Sequence, residues 1–384
     1  MATTMRLASS FASAAARRSL SSSSSSASAA ARAGIARPSR VHSITELVGA
    51  TPVVRLNRVI PSTSATVWLK MESLNPGGSV KDRIALAMVA DAEARGALRP
   101  GMRLLEATSG NTGVGLAFVG AARGYAVTLV MPDTMTLERR ALLRAYGAQL
   151  VLTPGSGGMK EAVRVAAEMA AADAGLFYVR QFENAANPAV HEKTTALELL
   201  AQVPEMDAFV AGVGTGGTVS GVGRVLRKRA PHVRVVAVEP ESSPLLTKGI
   251  AGPNKIQGIG AVSRSAPRPS FCARAQAKLL RSRSPNPLTP LLEIFDADPT
   301  QNFIPAILDR TSFDAVEDVS YEDAVAMQRR LTREEALLSG ISTGAIAHAA
   351  AKVARELGAG KTVVAILCDT GERYLSHPLY TEQV

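Results

Sequence analysis

The sequence predicts an α/β fold made of two open, twisted, mostly parallel sheets with helices on both faces. Short apolar runs of strand length recur along the chain after His42, and most are separated by amphipathic helical runs. Several of these helical runs end at a glycine, as at Gly96, Gly124 and Gly147. Strands that alternate with helices form parallel sheets covered on both faces. Because the strand-like runs are too many for one sheet, we expect two α/β domains that share a cleft.

Nine segments have the length and composition of strands. In chain order they are Val53–Leu56, Val67–Met71, Arg103–Glu106, Val127–Met131, Gln149–Leu152, Phe177–Val179, Ala208–Ala211, Val233–Val238 and Val363–Cys368. Helical runs follow, for example, at Val114–Arg123, Val219–Leu226 and Ile346–Leu357. In open α/β sheets ligands bind at the carboxyl ends of the strands, so function is expected at the strand–helix junctions.

The excess positive charge lies outside this regular pattern. The 384-residue chain has a formal charge of +10, of which residues 1–40 supply +6 and residues 262–301 supply +3. The remaining +1 argues against a nucleic-acid-binding surface. We also expect no membrane span, because no apolar run reaches about 18 residues. No metal site is expected either, because no His or Cys residues have ligand spacing. The two cysteines, Cys272 and Cys368, form no disulfide framework, and Cys368 is expected to be buried and inert.

Residues 1–40 have the composition of an organelle transit peptide. They are rich in Ser and Ala, contain six arginines, and precede the first acidic residue of the chain, Glu46. A disordered tail is the alternative interpretation. Arg17-Arg18-Ser19 favours a mitochondrial address and the run Ser21–Ser26 a plastid one. We therefore expect the protein to be located in the mitochondrial matrix or the plastid stroma, and the sequence leaves the choice between the two open.

Residues 262–301 interrupt the alternation of strands and helices. They contain six prolines and scattered arginines without a sustained hydrophobic period. A segment of this length without regular structure is uncommon inside a compact domain, so we interpret it as an unstructured insertion. One hypothesis is a translated intron, because splice-donor and splice-acceptor sequences can encode Val262-Ser263 and Gln301. The other is a lineage-specific loop.

The segment Asn75-Pro-Gly-Gly-Ser-Val-Lys-Asp-Arg83 places a lysine just after a buried strand. Asn75 to Gly78 must turn sharply, and Ser79 can cap the helical run that follows. Lys81 therefore lies in the first turn of a helix, where backbone N–H groups point outward. Such a lysine is either a solvated surface cation or an amine held for covalent chemistry.

The junction Thr108-Ser-Gly-Asn-Thr-Gly113 is suited to a carboxylate or another anion. It follows the strand Arg103–Glu106 and opens the helix Val114–Arg123. Three hydroxyl groups, the amide of Asn111 and exposed N–H groups gather at this helix N-terminus. A simple helix cap would need only one Ser or Thr.

The junction Gly212-Val-Gly-Thr-Gly-Gly-Thr218 is suited to a phosphate. Its glycines allow the backbone to approach the phosphate closely, and the helix dipole favours the negative charge. Gly212, Gly214 and Gly217 also fit the pattern G-x-G-x-x-G, and Glu239 ends the next strand about 20 residues later. A dinucleotide site is therefore a competing interpretation, against which the hydroxyls of Thr215 and Thr218 favour a terminal phosphate.

A third loop, Ser339-Gly-Ile-Ser-Thr-Gly-Ala345, again opens a helix, which Ser342 can cap unless it contacts a ligand. His191, by contrast, is predicted to be an exposed helical residue. A lysine amine, an anion loop and a phosphate loop at one sheet edge indicate pyridoxal 5′-phosphate. This cofactor needs an attachment lysine, a phosphate cradle and a partner for its ring nitrogen.

Taken as a set, these motifs resemble the cysteine synthase (O-acetylserine sulfhydrylase) family of fold-type-II pyridoxal-phosphate enzymes. The resemblance runs from about Ile44 to Ser376, apart from residues 262–301. Its motifs are Asn75–Arg83, Thr108–Gly113, Met131–Arg140, Gln181-Phe182 with Asn187-Pro188, Gly214–Thr218, Gln257–Ala261 and Gly340–Gly344.

The resemblance implies a role for each motif. Lys81 would form the internal aldimine, Asn111 would bond the ring hydroxyl and Ser342 would face the ring nitrogen. The residues that hold the phosphate would be Gly214, Thr215, Gly216, Gly217 and Thr218. The residues that bind the substrate would be Thr108, Ser109, Gly110, Thr112, Gln181 and Gly258.

The resemblance also implies how the chain is divided. Residues 41–73 and 186–384 would form a larger α/β domain that carries the phosphate loop. Residues 74–185 would form a smaller mobile domain that closes on the substrate, with the cofactor in the cleft between the two. A homodimer and a complex with serine acetyltransferase are the expected assemblies.

The implied reaction is a β-replacement that makes L-cysteine from O-acetyl-L-serine and sulfide, through the Lys81 aldimine and an aminoacrylate intermediate. Two enzymatic alternatives stay open at this point, a β-cyanoalanine synthase and a cystathionine β-synthase-like activity. A non-enzymatic alternative is a binder of serine acetyltransferase that is catalytically impaired by the insertion after the loop of Gly258.

Overall fold

The computed structural model describes residues 37–260 and 304–376, together with Tyr380. Most of the predicted transit peptide, the whole predicted insertion at 262–301 and Cys272 lie outside the described residues. Val41–Val384 forms one compact unit, separate from Met1–Arg40. The description that follows concerns the larger unit.

The larger sheet has six strands in the order β1-β2-β10-β7-β8-β9. Their bounds are β1 (Val53–Arg55), β2 (Thr66–Met71), β7 (Ala208–Gly212), β8 (Arg234–Pro240), β9 (Ala315–Val319) and β10 (Thr362–Leu367). β1 pairs antiparallel with β2, and all the other pairs are parallel. The central strand β10 is buried along its whole length. Because β10 pairs parallel with β2 and β7, the carboxyl ends of these three strands lie at the same edge of the sheet.

The smaller sheet has four parallel strands in the order β5-β4-β3-β6. Their bounds are β3 (Arg103–Ala107), β4 (Val127–Pro132), β5 (Gln149–Thr153) and β6 (Leu176–Tyr178). All four come from one continuous stretch inside the predicted smaller domain, residues 74–185. The domain boundaries themselves stay a prediction.

Helices cover both faces of each sheet. They are α1 (Lys81–Ala94), α2 (Asn111–Arg123), α3 (Leu137–Ala145), α4 (Gly158–Ala172), α5 (Ala186–Val190), α6 (Ala196–Gln202), α7 (Gly217–Arg229), α8 (Tyr321–Glu335) and α9 (Ile341–Leu357). A π-helical turn, His191–Thr195, joins α5 to α6. Successive residues of β10 point to opposite faces, so Val363 packs in the α9 layer and Ile366 in the layer of α6 and α7. Full burial of one such side chain stabilises the fold by about 1.5–3 kcal/mol.

The predicted fold class is confirmed, because the nine predicted strands are all present within a residue or two of the predicted bounds. β9 was missed. Its sequence, Ala-Val-Glu-Asp-Val, carries two acids and lies at a sheet edge where most of its residues are only partly buried. An edge strand pairs on one side only, so its sequence lacks the apolar run that marks a central strand.

Candidate active site

Lys81 is the first residue of α1, at the end of a tight turn after β2. The turn needs Gly78, whose φ is +80° and whose Cβ, if present, would lie 2.7 Å from Nη2 of Arg373. The N–H of Val80 donates to the carbonyl oxygen of Cys368 (2.8 Å), which ties the start of α1 to the end of β10. The N-cap position is occupied by Val80, while the hydroxyl of Ser79 accepts the N–H of Lys81 (3.2 Å).

Lys81 lines a small cavity at the carboxyl ends of β7 and β10 of the larger sheet. The predicted residues that line the same cavity are Gly214, Thr215, Gly216, Thr218 and Gly258. Burial lowers the pKa of Lys81, and the neighbouring Cys368 and Asp369 oppose that shift only in part. A lysine with a lowered pKa has a larger neutral fraction, which is the form that acts as a nucleophile or a base.

The glycine loop after β7 is shaped as an anion cradle at the N-terminus of α7. Gly216 has φ +81°, and a Cβ at Gly214 would collide with the carbonyl oxygen of Gly258. The N–H of Gly217 and Nδ2 of Asn187 both donate to Oγ1 of Thr215, at 3.3 and 3.1 Å. Oδ1 of Asn187 is buried without a hydrogen-bond partner among the described residues. This loop would suit a phosphate monoester for three reasons. The backbones of Gly214 and Gly258 lie close together, the loop opens a helix N-terminus, and it carries hydroxyl groups.

The second predicted anion loop lies at the junction of β3 and α2. Oγ1 of Thr112 donates to Oε1 of Gln181 (2.6 Å), although 69 positions separate the two residues. The N–H of Gly110 donates to Oγ1 of Thr108 (3.3 Å), and the carbonyl oxygen of Ser109 accepts from Arg139 (3.3 Å). The structure therefore brings Gln181 to this loop, as the predicted carboxylate site requires.

Asn111, the first residue of α2, hydrogen-bonds through its side-chain amide to two residues near the C-terminus. Its Nδ2 donates to Oδ2 of Asp369 (2.6 Å), and its Oδ1 accepts from Nη1 of Arg373 (2.5 Å). Oδ2 of Asp369 also accepts from the hydroxyl of Tyr374. Burial raises the pKa of Asp369, and its Oδ1 has no partner among the described residues. Sequence reasoning missed Asp369 and Tyr374, because nothing local marks a contact between residues 258 positions apart.

Ser342 is buried in the first turn of α9 and does not cap it, since Gly340 holds the N-cap position. Its Oγ lies 3.4 Å from where a Cβ on Gly258 would be. Ser342 thus lies beside the cavity lined by Lys81. Burial raises the pKa of Cys368 to about 12, so this thiol is held in its protonated form.

The prediction that His191 is exposed is wrong. The residue is 1% exposed and begins the π-helical turn. Its Nδ1 lies 2.9 Å from Oγ1 of Thr195 and its Nε2 lies 3.3 Å from Oγ1 of Thr218, in the phosphate loop. Burial lowers the pKa of His191 to about 3, so the ring is neutral. The extra residue of a π-helical turn shifts the helical phase, and the polar sequence His-Glu-Lys-Thr-Thr gives no sign of this.

A cluster of buried ion pairs fixes the helix that carries Lys81. Arg83 contacts Glu72 and Glu198, each at 2.7 Å, and Lys70 contacts Glu198 at 2.6 Å. Asp82 accepts from the N–H of Gly77 (2.5 Å), inside the turn that precedes α1. The cluster connects β2, α1 and α6, which sets the direction in which Lys81 enters the cavity.

In the described ranges, no three His, Cys, Asp or Glu side chains lie together as metal ligands do. The same part of the chain contains no helix that is both long and apolar enough to cross a membrane.

Residues 44–369 match the family model described as "Pyridoxal-phosphate dependent enzyme". The chain belongs to this family. The family's cofactor fits the site, which offers a desolvated amine and a glycine-rich cradle at one cavity, and a separate anion loop linked to the cradle through Asn187. The predicted cofactor and the fold-type-II architecture are thereby confirmed. The individual roles of the site residues stay predictions.

Proteins similar to this chain share most of its length. A "Cysteine synthase" of Staphylococcus aureus is 48% identical over 343 residues, which cover 89% of this chain and 97% of the relative. The structure is similar to O-acetyl serine sulfhydrylase isoform 3 from Entamoeba histolytica, with a TM-score of 0.77 and 37% identity over 91% of this chain and 94% of the other. It is also similar to an O-ureido-L-serine synthase, with a TM-score of 0.76 and 42% identity over 90% of this chain and 97% of the other.

Proposed function

We propose that this chain is a cysteine synthase that makes L-cysteine and acetate from O-acetyl-L-serine and sulfide. The observation that carries the proposal is the meeting of Lys81 and the Gly214–Thr218 loop in one cavity. Asn187 links this loop to Gln181, which accepts from Thr112. The similarity to proteins named cysteine synthase and O-acetyl serine sulfhydrylase supports the choice of substrates.

Each group of residues then has a physical task. The Gly214–Thr218 loop would hold the cofactor phosphate, and Lys81 would be the attachment residue. Asn111 and Ser342 would contact the cofactor ring. The substrate is held by Thr108, Ser109, Gly110, Thr112, Gln181 and Gly258. When bound, the cofactor stabilises the negative charge that develops at the α-carbon of the substrate.

The amine of Lys81 is the base and the acid of the reaction. Its lowered pKa leaves it neutral often enough to take the α-proton of O-acetyl-L-serine. Acetate leaves from the β-carbon, sulfide adds to the same carbon as HS⁻, and the ammonium of Lys81 returns a proton to the α-carbon. Helix N-terminal N–H groups at the carboxylate site hold the substrate so that the α-proton faces Lys81.

Replacing Lys81 by alanine tests this assignment. We expect Lys81→Ala to lose the visible absorbance of the covalently bound cofactor and at least about 10³-fold in kcat, since both attachment and proton transfer are removed. Circular dichroism should show an unchanged fold. Borohydride reduction and peptide mapping of the unmodified protein should recover the cofactor on Lys81. A variant that keeps the absorbance and the turnover would refute the assignment.

A panel of assays separates cysteine synthase from related reactions at the same carbon. Purified protein is given O-acetyl-L-serine with sulfide, L-cysteine with cyanide, or L-serine with homocysteine. We expect the first pair to give the highest kcat/KM. A preference for either of the other pairs would overturn the substrate choice.

We further propose that the mature protein works as a homodimer in an organelle and binds serine acetyltransferase. The arginine-bearing, acid-free composition of residues 1–40 supports an organelle address. Fusing residues 1–40 to a fluorescent protein tests the address, and diffuse cytoplasmic signal would contradict it. Light scattering tests the dimer, and co-purification with serine acetyltransferase tests the complex.

We also propose that residues 262–301 are a translated intron and that residues 74–185 move as one domain. Sequencing the transcript across codons 255–305 tests the intron, since an abundant message that retains those codons contradicts it. Small-angle scattering with and without substrate tests the closure.

A further inference from the structure

Thr215, in the phosphate loop, carries a hydroxyl hydrogen that no described residue accepts. The residue is buried and lines the cavity. A hydroxyl oxygen has two acceptor sites and one hydrogen to donate. Both acceptor sites of Oγ1 are used, by the N–H of Gly217 (3.3 Å) and by Nδ2 of Asn187 (3.1 Å). The hydrogen therefore remains for a partner that enters the cavity.

The orientation of the Asn187 amide follows from its other contact. Its Nδ2 also lies 2.9 Å from the carbonyl oxygen of Gln181, which can only accept a hydrogen bond. The amide nitrogen, and not the amide oxygen, must therefore occupy this position, and its second hydrogen points to Thr215. Asn187 is fully buried on α5, and a Cβ at Gly217 would collide with its Oδ1, so the amide is packed tightly against the loop. One NH₂ group thus determines that Oγ1 of Thr215 accepts.

The fixed direction of this hydroxyl suits the ligand that the loop would hold. The oxygens of a phosphate monoester dianion only accept hydrogen bonds, so its site must present donors. A hydroxyl whose oxygen already accepts twice presents its hydrogen without reorienting, which lowers the cost of binding.

We propose that Asn187 is a positioning residue for cofactor binding. Its NH₂ group occupies one acceptor site of Thr215 and so keeps the hydroxyl hydrogen available to the cofactor phosphate. This inference rests on the proposed function, in which the Gly214–Thr218 loop holds that phosphate.

A merely structural role for Asn187 is the competing explanation, because the same amide also bonds the backbone of Gln181. The two explanations differ when Thr215 lacks its hydroxyl. If Asn187 acts through that hydroxyl, N187A weakens cofactor binding in the unmodified protein and in T215S, but adds little to the loss in T215V. A structural role predicts the same further loss in all three backgrounds.

Asn184 provides a matched control. Its Nδ2 donates to the carbonyl oxygen of Val179 (3.0 Å), and its Oδ1 accepts from the N–H of Ala186 (3.0 Å). N184A thus removes a comparable bond from an amide to a backbone carbonyl, three positions earlier. Among the described residues, this side chain hydrogen-bonds none of the proposed site residues. We expect N184A to lower Tm and to leave cofactor affinity unchanged.

The experiment removes the cofactor from each full-length protein, adds pyridoxal 5′-phosphate back, and reads its dissociation constant from the visible absorbance. T215V should raise this constant about ten-fold or more, the size expected for losing a hydrogen bond to a charged group. N187A should raise it about three-fold or more, because the hydroxyl remains but is no longer directed. The ³¹P resonance of the bound cofactor should change in N187A and T215V and stay unchanged in N184A.

The outcomes separate this inference from the proposed function. Unchanged affinity in N187A, an equal loss from N187A in the T215V and T215S backgrounds, or an equal loss in N184A would overturn the inference alone. Unchanged affinity in T215V would overturn the assignment of the loop to the phosphate, and this inference with it. The choice of substrates is tested independently by the assay panel, since cofactor affinity is measured without substrate.

A second variant guards against a folding defect in N187A. N187D keeps the shape of the side chain but replaces the NH₂ group by an oxygen, to which the Thr215 hydroxyl can turn and donate. The cofactor phosphate then loses that donor, so N187D should lose more affinity in T215S than in T215V. Equal losses in these two backgrounds would contradict the proposed action through the hydroxyl.

Discussion

Replacing Arg83 by methionine removes the positive charge at the centre of a buried cluster of ion pairs. The guanidinium bonds Glu72 and Glu198 at 2.7 Å each, and all three side chains are nearly inaccessible to water. Lys70, 2.6 Å from Glu198, is also fully buried. The variant Arg83→Met therefore leaves two buried carboxylates facing one ammonium group.

The size of the effect follows from the desolvation of those carboxylates. Breaking a buried ion pair by removing one partner typically costs about 3–5 kcal/mol. Burial by itself raises the pKa of Glu72, but Arg83, together with Lys70 and Thr51, more than offsets it and lowers the value from 4.5 to about 2. That difference is worth on the order of 3 kcal/mol at neutral pH. We expect Arg83→Met to lower the free energy of unfolding by about 3–5 kcal/mol at pH 8, or roughly 4–7 °C in Tm.

The pH dependence of this deficit has a definite sign. In the unmodified protein the pKa of Glu72 is depressed, so its contribution to stability is present above pH 4.5 and is lost as the pH falls toward 2. Without Arg83, we expect burial to outweigh the remaining influence of Lys70 and Thr51, so that the pKa of Glu72 in the folded variant rises above its ordinary value. The folded variant then binds a proton that the unfolded chain does not. Its deficit relative to the unmodified protein shrinks on acidification from pH 8 to pH 5, by up to about 1.4 kcal/mol per pH unit and proton.

Denaturant unfolding followed by tryptophan fluorescence at pH 8, 6.5 and 5 measures the deficit. Arg224 supplies the control, because it also bonds two carboxylates, Glu192 and Asp309, but its side chain is 38% exposed. Arg224→Met should cost less than about 1 kcal/mol, with little change over this pH range. A deficit for Arg83→Met below about 1 kcal/mol, or one that is equal at pH 5 and pH 8, would refute the reasoning.

Two further predictions concern the phosphate loop and the histidine behind it. Gly214→Ala places a Cβ against the carbonyl oxygen of Gly258, which is backbone and cannot rotate away, so the dissociation constant of the cofactor should rise at least about ten-fold in an absorbance titration. Unchanged affinity would contradict the cradle. Burial holds the pKa of His191 at about 3 against 6.5 for the unfolded chain, so the stability it contributes is present above pH 6.5 and is lost as the pH falls toward 3. His191→Gln should therefore show a smaller fall of Tm between pH 7 and pH 4 than the unmodified protein, and equal slopes would contradict the assignment.

Much of the fold was predictable because its signals are local. A buried parallel strand such as β10 is apolar along its length. A glycine with positive φ marks the end of a helix, as Gly124 does after α2. Ligands bind at the carboxyl ends of parallel strands, and this rule predicts that the site contains the junction residues Lys81, Thr108–Gly113 and Gly212–Thr218. The structure places them at the ends of β2, β3 and β7, around the cavity and the neighbouring anion loop.

The contacts between distant elements had no such signal. The sequence around His191 predicts a polar surface residue. In the structure the π-helical turn directs its side chain inward, where it contacts Thr218. Asp369 looks like a residue of a loop until the folded chain brings it to Asn111, whose amide donates to its carboxylate.

By itself the sequence determined the order of the strands and helices apart from β9, the family and the cofactor, since each depends on short motifs and on hydrophobic periodicity. Only the tertiary structure decided which acids and bases are desolvated and what they hold in place. Burial and partner are properties of the packed elements around a side chain. No spacing along the chain encodes them.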